Sequence, residues 1–360
     1  MPISSLAEAS VPLWLMLAFF FYTPHIQVSD AIMFYMHKIR VGVIRGGPSS
    51  EYEVSLNTGA NVIDHLSKEL GDKYMVRDIL VDKNGTWFVH GVPTTPHTAL
   101  AHLDVAFNAL HGQYGEDGKI QHIFESHGIP FTGSGSFSSA LGLNKILAKE
   151  IYKKEKIKCP QSRLLESLHD VSKEAHKVFN SFPLPVVVKP ASSGSSHGVT
   201  VVKDFSSFDK AVQNAYKHSG AVFVEEFING KEASCGVIEG YRDQSHYSLP
   251  PVEIRPHNKL FYDFEAKFEG KSDEIVPGNF SELEKKQIEA ISIQAHKALG
   301  LRHYSRSDFI IHPKRGIFIL ETNSQPELSQ DSLINKSLKA VGAPLYHFLD
   351  HIIQLAISKK

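Results

Sequence analysis

Cysteine is nearly absent: Cys159 and Cys235 are the only two in 360 residues. That excludes a disulfide framework and a cysteine-based zinc site, and it makes a reducing cytoplasm the expected compartment. An excess of charge of either sign is lacking too. With 38 Lys and Arg against 39 Asp and Glu, the formal net charge is −1, so nothing in the balance points to nucleic acid or an anionic membrane as a partner. Long apolar runs are missing as well. The N-terminal run Val11–Tyr22 has 12 residues, against about 20 needed to cross a bilayer, and stable membrane insertion is not expected. No Lys or Arg precedes Lys38, so the basic region of a signal peptide is lacking. Residues 1–37 therefore read as an extension outside the fold, or as a misplaced start. In the second reading translation opens at Met36, where M-H-K-I-R-V-G-V-I-R-G-G leads straight into a first strand. Finally, the chain has neither G-x-G-x-x-G nor a P-loop pattern, which disfavours a nicotinamide-binding or Walker-type nucleotide site.

What is present is an ordinary globular composition, 42% hydrophobic and 21% charged, in a chain long enough for two or three domains with real cores. Its most informative stretch is Ser305–Asn323, S-R-S-D-F-I-I-H-P-K-R-G-I-F-I-L-E-T-N. Two apolar runs, Phe309–Ile311 and Ile317–Leu320, flank a Pro- and Gly-containing segment that reads as a hairpin turn. A turn centred between Lys314 and Arg315 sets Asp308 opposite Glu321, with Cβ atoms about 4.5–5.5 Å apart. Asn323, two residues on, shares the face of Glu321, and Arg306 joins from the first strand. Two carboxylates and an amide oxygen so placed suit Mg²⁺, a hard cation that binds a few carboxylates together with substrate phosphates. The plainer reading is a solvated polar hairpin face; Asn323 and Arg306 tip the balance to a metal–phosphate site.

Earlier in the chain, Lys38–Arg45 reads as a buried strand, Gly46–Ser50 as a loop and Glu51–Leu70 as a helix. Glu53 falls in that helix's first turn, either complementing its dipole or holding a substrate ammonium beside the loop. Asp104–Leu110 is another strand. It runs into H-G-Q-Y-G-E-D-G, whose His111 sits where a binding loop would follow a strand of a parallel sheet. Lys145 lies on a helix after Thr132–Gly135. Pro185–Pro190 is a β-rich run carrying Lys189, and A-S-S-G-S-S-H-G and a second strand, Val199–Val202, follow. A small-residue loop between two strands is usually a plain connection, but it can fold its N–H groups over phosphates as a lid. Val222–Ile228 is an apolar strand that turns acidic at Glu225 and Glu226, and Glu232 opens the next strand. These acids are either an exposed strand end or acceptors for an adenine amino group and ribose hydroxyls. The final segment, Ser332–Ile357, has helical spacing broken at Gly342-Ala343-Pro344.

Taken together, G-G-P-S-S-E-Y-E-V-S-L-N-T-G, H-G-Q-Y-G-E-D-G-K-I-Q, F-T-G-S-G, V-V-V-K-P, F-Y-D-F-E-A-K-F and E-T-N-S-Q-P resemble the D-alanine–D-alanine ligases of the ATP-grasp superfamily. The resemblance runs from about Lys38 to the C-terminus. It implies an α/β (α+β) ATP-grasp fold: an N-terminal parallel α/β substrate domain at 38–140, a central lid domain at 141–228 and a C-terminal mixed-sheet catalytic domain at 229–360. It also implies ATP and two Mg²⁺ ions (Mn²⁺ as the alternative), a cytoplasmic enzyme of peptidoglycan precursor synthesis, and a homodimer. ATP would phosphorylate one D-alanine, and the amine of a second would attack the acyl phosphate. By motif, Glu53 would hold the first ammonium, with His111 nearby. Lys145 and Lys189 would meet the ATP phosphates under a lid bearing Ser195 and Ser196, with Ser195, like Glu53, counted among the catalytic residues that a Tyr hydroxyl at position 268 would link. Glu225 would meet the adenine amino group and Glu232 the ribose, with Glu226, Phe227 and Ile228 lining the adenine pocket. Lys267 would reach the transferred phosphoryl group. Asp308, Glu321 and Asn323 would hold the metals, and Arg306 would stabilise the tetrahedral intermediate. Ser332 and the Leu333 N–H would take the second substrate's carboxylate.

The chain departs from the family pattern in three places. Phe268 stands where D-alanine-adding ligases usually have Tyr, and Phe there resembles relatives that also accept D-lactate. Ser192-Ser193 replaces a frequent Arg-Glu on the lid. Glu327 follows Pro326 where Gly is usual. The alternatives are therefore a D-alanine–D-lactate or other carboxylate–amine ligase, and a nucleotide-binding relative without catalysis.

Overall fold

In the computed structural model the described residues are 38–166, 171–192, 194, 197–257 and 272–358. Ser195, Ser196, Lys267 and Phe268, singled out above, lie outside them. Contacts divide the chain into Met1–Ile39 and Arg40–Lys360, and the second unit builds three sheets.

The first sheet has the order β4-β3-β2-β1-β5, from β1 (Ile39–Gly46), β2 (Tyr74–Val81), β3 (Trp87–Val89), β4 (Val92–Thr94) and β5 (Val105–Asn108). β1 and β5 pair in parallel, Val41 with Val105 through Ile44 with Asn108. Val41, Val43, Ile44, Val105 and Phe107 are all fully buried, the continuous apolar run expected of parallel strands covered on both faces. The far edge differs from the all-parallel expectation. β2, β3 and β4 pair antiparallel, because short turns join them where a parallel pair would need a crossover. One passes through Gly85 at φ +83° between β2 and β3, and one of two residues through His90 and Gly91 at positive φ between β3 and β4. After β1 the chain turns through Gly46, at φ +92°, where a Cβ would lie 2.2 Å from the Val81 carbonyl oxygen. Only glycine fits there. Helix α1 (Tyr52–Lys68) follows.

The second sheet is antiparallel, in the order β6-β9-β7-β8, from β6 (Ser162–Leu164), β7 (Val186–Pro190), β8 (Thr200–Val202) and β9 (Val222–Glu226). Helix α2 (Lys145–Lys154) precedes it. The third sheet holds β10 (Lys231–Glu239), β11 (His246–Ser248), β12 (Val252–Pro256), β13 (Ser272–Ile275), β14 (Tyr304–His312) and β15 (Gly316–Asn323). Helix α3 (Glu282–Ala298) covers one of its faces and starts with a full capping box between Ser281 and Glu284. The core there joins Ala233, Cys235, Phe309 and Ile319 of the sheet to Ile288 and Ala295 of the helix. Helices α4 (Leu333–Ala340) and α5 (Leu345–Ser358) end the described chain, on either side of Gly342, which has φ +68°. Among the described residues no helix is long and apolar enough to cross a membrane.

The β14–β15 hairpin pairs as anticipated at its functional end, though by another route. His312 pairs with Gly316 and Phe309 with Ile319, so the turn centres on Lys314, half a residue earlier than expected. A regular ladder would then set Asp308 against Leu320. A bulge between Asp308 and Phe309 absorbs Leu320 and restores the pairing of Asp308 with Glu321 and of Arg306 with Asn323. Phe309, buried to 1% exposure beside this bulge, anchors the hairpin to α3. Phe309→Ala should cost about 3–5 kcal/mol in urea unfolding; a loss below about 1 kcal/mol would show that the hairpin does not depend on that core.

Candidate active site

The hairpin brings its four polar residues together. Arg306 grips Asp308 with two hydrogen bonds of 3.0 Å, and Ser234 from β10 donates to the same carboxylate at 2.6 Å. Across the ladder, Glu321 accepts from the Lys145 ammonium at 2.6 Å. Burial pushes the Lys145 pKa down, but the charge and hydrogen bond of Glu321, together with the charges of Glu225 and Glu116, outweigh it and the net shift is upward. Asn144 caps α2 by accepting from the Ile146 and Leu147 N–H groups, which sets Lys145 at the helix start facing β15. Asn323 accepts from the Gln325 N–H at 2.8 Å.

On one side of this cluster lies a cleft between the second and third sheets. It is lined by Lys145, Lys189, Glu225, Glu226, Phe227, Ile228, Glu232, Asp308, Leu320 and Glu321 among others. All five of Glu225, Glu226, Phe227, Ile228 and Glu232 thus face one space. Glu225, 1% exposed, is ion-paired with the ammoniums of Lys149 and Lys189, each at 2.7 Å. Burial raises the Glu225 carboxyl pKa, but the two ammoniums outweigh it and hold the carboxyl below its ordinary range. Glu226 is bound bidentately by Arg315 at 2.8 and 2.9 Å. Lys149, which also donates to the Pro160 carbonyl at 2.9 Å, was not singled out in the sequence. Its signal was there, because Lys145 and Lys149 are four apart and share a helix face.

On the other side opens a cavity of about 750 Å³ that also reaches Lys145 and Glu321. Arg306, Asn323, His111, Ser332 and Leu333 line it, with Glu51, Glu116 and Glu327. Glu53 is not among them. Its side chain is 75% exposed and lies 3.6 Å from the Lys83 ammonium. The carboxylate that faces the cavity is Glu51, only 6% exposed. It holds the position just before α1, two residues earlier, and so points about 160° away from Glu53 around the helix axis. A Cβ on Gly112 or Gly194 would meet the Glu51 carboxylate at 2.8 or 2.3 Å, so both glycines stand close against it.

His111 is buried behind Glu51. Its Nδ1 lies 3.1 Å from the Gln325 carbonyl and its Nε2 2.9 Å from the Thr58 hydroxyl, which places a proton on Nδ1. Burial pushes its pKa down, but Glu116, then Glu51 and Glu327, outweigh this, and the net direction is up. Glu116 also accepts from the Gly112 N–H at 2.8 Å and closes the loop. Ser332 caps α4 by accepting from the Asn335 N–H, and the Leu333 N–H belongs to that helix's first turn, where anions are favoured.

The donor set fits a hard divalent cation: Asp308, Glu321 and Asn323 offer oxygens from facing strands. Arg306 and Lys145 place positive charge on the same two carboxylates that such an ion would neutralise.

The family described as "D-ala D-ala ligase C-terminus" matches residues 152–354, and "D-ala D-ala ligase N-terminus" matches 40–100 and 91–134. A D-alanine–D-alanine ligase of Geotalea uraniireducens is 37% identical over 89% of this chain and 96% of its own length. The chain belongs to the D-alanine–D-alanine ligase family. A second D-alanine–D-alanine ligase, from Desulfotalea psychrophila, is 36% identical over 89% of this chain and 96% of its own. Among solved structures, the VanG D-Ala:D-Ser ligase of Enterococcus faecalis superposes with a TM-score of 0.78 at 28% identity, covering 89% of this chain and all of that one. The D-alanine–D-alanine ligase of Coxiella burnetii gives 0.74 at 26% identity, covering 89% and 94%. The chain is thus a ligase with the ATP-grasp fold of its family.

The Lys149–Glu225–Lys189 group yields a test of the site's electrostatics. Lys149→Met should cost about 3 kcal/mol or more at neutral pH, the usual penalty for breaking a buried ion pair. A depressed carboxyl stabilises the fold fully above its unfolded pKa of about 4.3. That contribution is lost as pH falls through the lower folded value. The gap between wild type and variant in urea unfolding should therefore shrink below about pH 4.3; a gap that stays constant to lower pH would remove Glu225 as the titrating partner.

Proposed function

We propose that the protein joins two D-alanines into D-alanyl-D-alanine, driven by ATP, through an acyl phosphate. The observation that carries this reading is the position of the β15 carboxylate of Glu321 at the junction of the two spaces, with Lys145 and Glu321 lining both and Asp308 beside them in the cleft. Nucleotide in the cleft and amino acid in the cavity would meet there. A bound Mg²⁺, held by Asp308, Glu321 and Asn323, would offset the charge of the phosphates, and Mn²⁺ is the alternative ion.

In this reading each residue takes a part that its place supports. Phe227 and Ile228 flank the adenine, Glu225 accepts from its amino group and Glu232 from the ribose. Lys145 and Lys189 orient the phosphates. Positioning and charge neutralisation of this kind are most of what phosphoryl transfer requires. Glu51, in place of Glu53, holds the ammonium of the first D-alanine, and His111 supports it from behind through Thr58 and Gln325. Arg306 is aimed at the oxygen that gains charge when the second amine attacks. Ser332 and the Leu333 N–H receive the second carboxylate. Lys267, with Ser195 and Ser196, belongs to the same reading by motif. A cytoplasmic place in peptidoglycan precursor synthesis, and a homodimer, belong to the same reading.

One observation favours a second acceptor reading. Glu327 lines the cavity where the family pattern has glycine, and with Phe268 it would admit D-lactate or another acceptor at the second site. A binding-only role fits poorly with Arg306, Asp308, Glu321 and Asn323 gathered around one point.

The direct test is phosphate release from ATP and Mg²⁺ with D-alanine, then with D-lactate added, with each product identified by mass. Dipeptide is expected; ester alone would give the second reading, and no release from folded protein would end both. In the same assay Arg306→Ala should lower kcat by about 100- to 1,000-fold. Glu51→Gln should lower kcat/KM for D-alanine by about 10- to 100-fold, the worth of a charged hydrogen bond. Glu53→Gln should stay within about twofold, since exposed pairs are worth little. The reverse order of the two glutamates would restore Glu53 to the site.

A further inference from the structure

The face of the third sheet turned away from the nucleotide cleft carries a second polar cluster. β10 alternates, so Glu232 and Ser234 look to the cleft while Ala233, Cys235 and Glu239 look to α3. There Glu239 meets His296 of α3 and His246 of β11, and one potential ligand atom from each lies within 4.8 Å of the other two. We propose that Glu239, His246 and His296 form a binding site for a transition-metal cation of the zinc type, separate from the nucleotide site.

His296 carries the argument. Its side chain is fully buried, and its Nδ1 lies 2.8 Å from the Ser305 hydroxyl. The other nitrogen, Nε2, is buried with no hydrogen bond and is 3.7 Å from the Glu239 carboxylate. That distance is too long for a hydrogen bond. It is close to the separation of about 3.4 Å between two ligands on a tetrahedral ion with bonds of about 2.0–2.2 Å. A metal-bound imidazole commonly has its second nitrogen fixed by a polar partner, as Ser305 does here. Glu239 is fixed as well, accepting from the His303 N–H at 2.7 Å. The rings of His246 and His296 stand edge to face with centroids 5.6 Å apart, so both can turn a nitrogen to one point. Two imidazoles and one carboxylate select zinc-type ions over Mg²⁺, which prefers oxygen. A water would complete the four-coordinate shell. Such an ion would tie β10, β11 and α3 together behind the catalytic hairpin.

The test is Co²⁺ titration of the full-length, chelator-treated protein without nucleotide, followed by the visible absorption of four-coordinate cobalt and by Zn²⁺ competition. One Co²⁺ per chain is expected, displaced by Zn²⁺. His246→Ala and Glu239→Gln should each weaken binding by at least about tenfold, since even changes outside the ligand shell cost about 10–100-fold. Glu321→Gln should leave the spectrum unchanged. Zn²⁺ should also raise the melting temperature of the wild type and not that of His246→Ala, whose side chain is only half-buried. Absence of the band, its survival in His246→Ala, or its loss in Glu321→Gln would overturn the proposal.

Discussion

Two carboxylates facing each other across a strand pair set the terms for the rest of this structure. At about 5 Å and an effective dielectric near 20, Asp308 and Glu321 repel by about 3 kcal/mol. That repulsion opposes keeping both ionised unless cations stand close. The fold supplies those cations from two directions. Arg306 lies on the same strand as Asp308, and Lys145 comes from the start of α2. The placement of α2 is therefore tied to the charge on β15, and its Asn144 cap serves that placement. Sheet, helix and cap depend on one another through this charge.

The same arrangement recurs one helical turn along α2. Lys149 reaches Glu225 on the second sheet while Lys189 approaches it from the neighbouring strand. Two ammoniums meet one carboxylate, so Glu225 stays ionised although it is buried. One helix face thus links the second sheet, through Lys149, to the third, through Lys145.

Much of this was legible in the residues. Strand, loop and helix at Lys38–Leu70 followed from apolar runs and glycines, and the facing of Asp308 and Glu321 followed from the period of two. Motif order supplied what composition could not, namely that distant Lys145, Lys189 and Glu225 share one cleft. Three things escaped. Glu51 and Glu53 are both acids at the start of one helix, and only the helix's angular position separates the buried from the exposed one. Lys149 looks like a surface lysine until Glu225, far away in sequence, is packed against it. The His246–His296 contact joins a strand to a helix across fifty residues and has no local signature.

The bulge at Leu320 shows why a correct pairing can rest on an incomplete reason. Counting outward from the turn assumes an unbroken alternation, and here the turn is centred half a residue earlier than that count assumed. The extra residue corrects the register, and it also changes what the strand presents. In a regular strand Leu320 and Glu321 would point to opposite faces; here both are half-buried and both line the cleft. Apolar surface and a carboxylate therefore stand side by side on one strand. A nucleotide needs the same succession, a flat apolar wall for its base and charge control for its phosphates. The bulge sets both requirements within two residues, where a straight strand would meet only one of them.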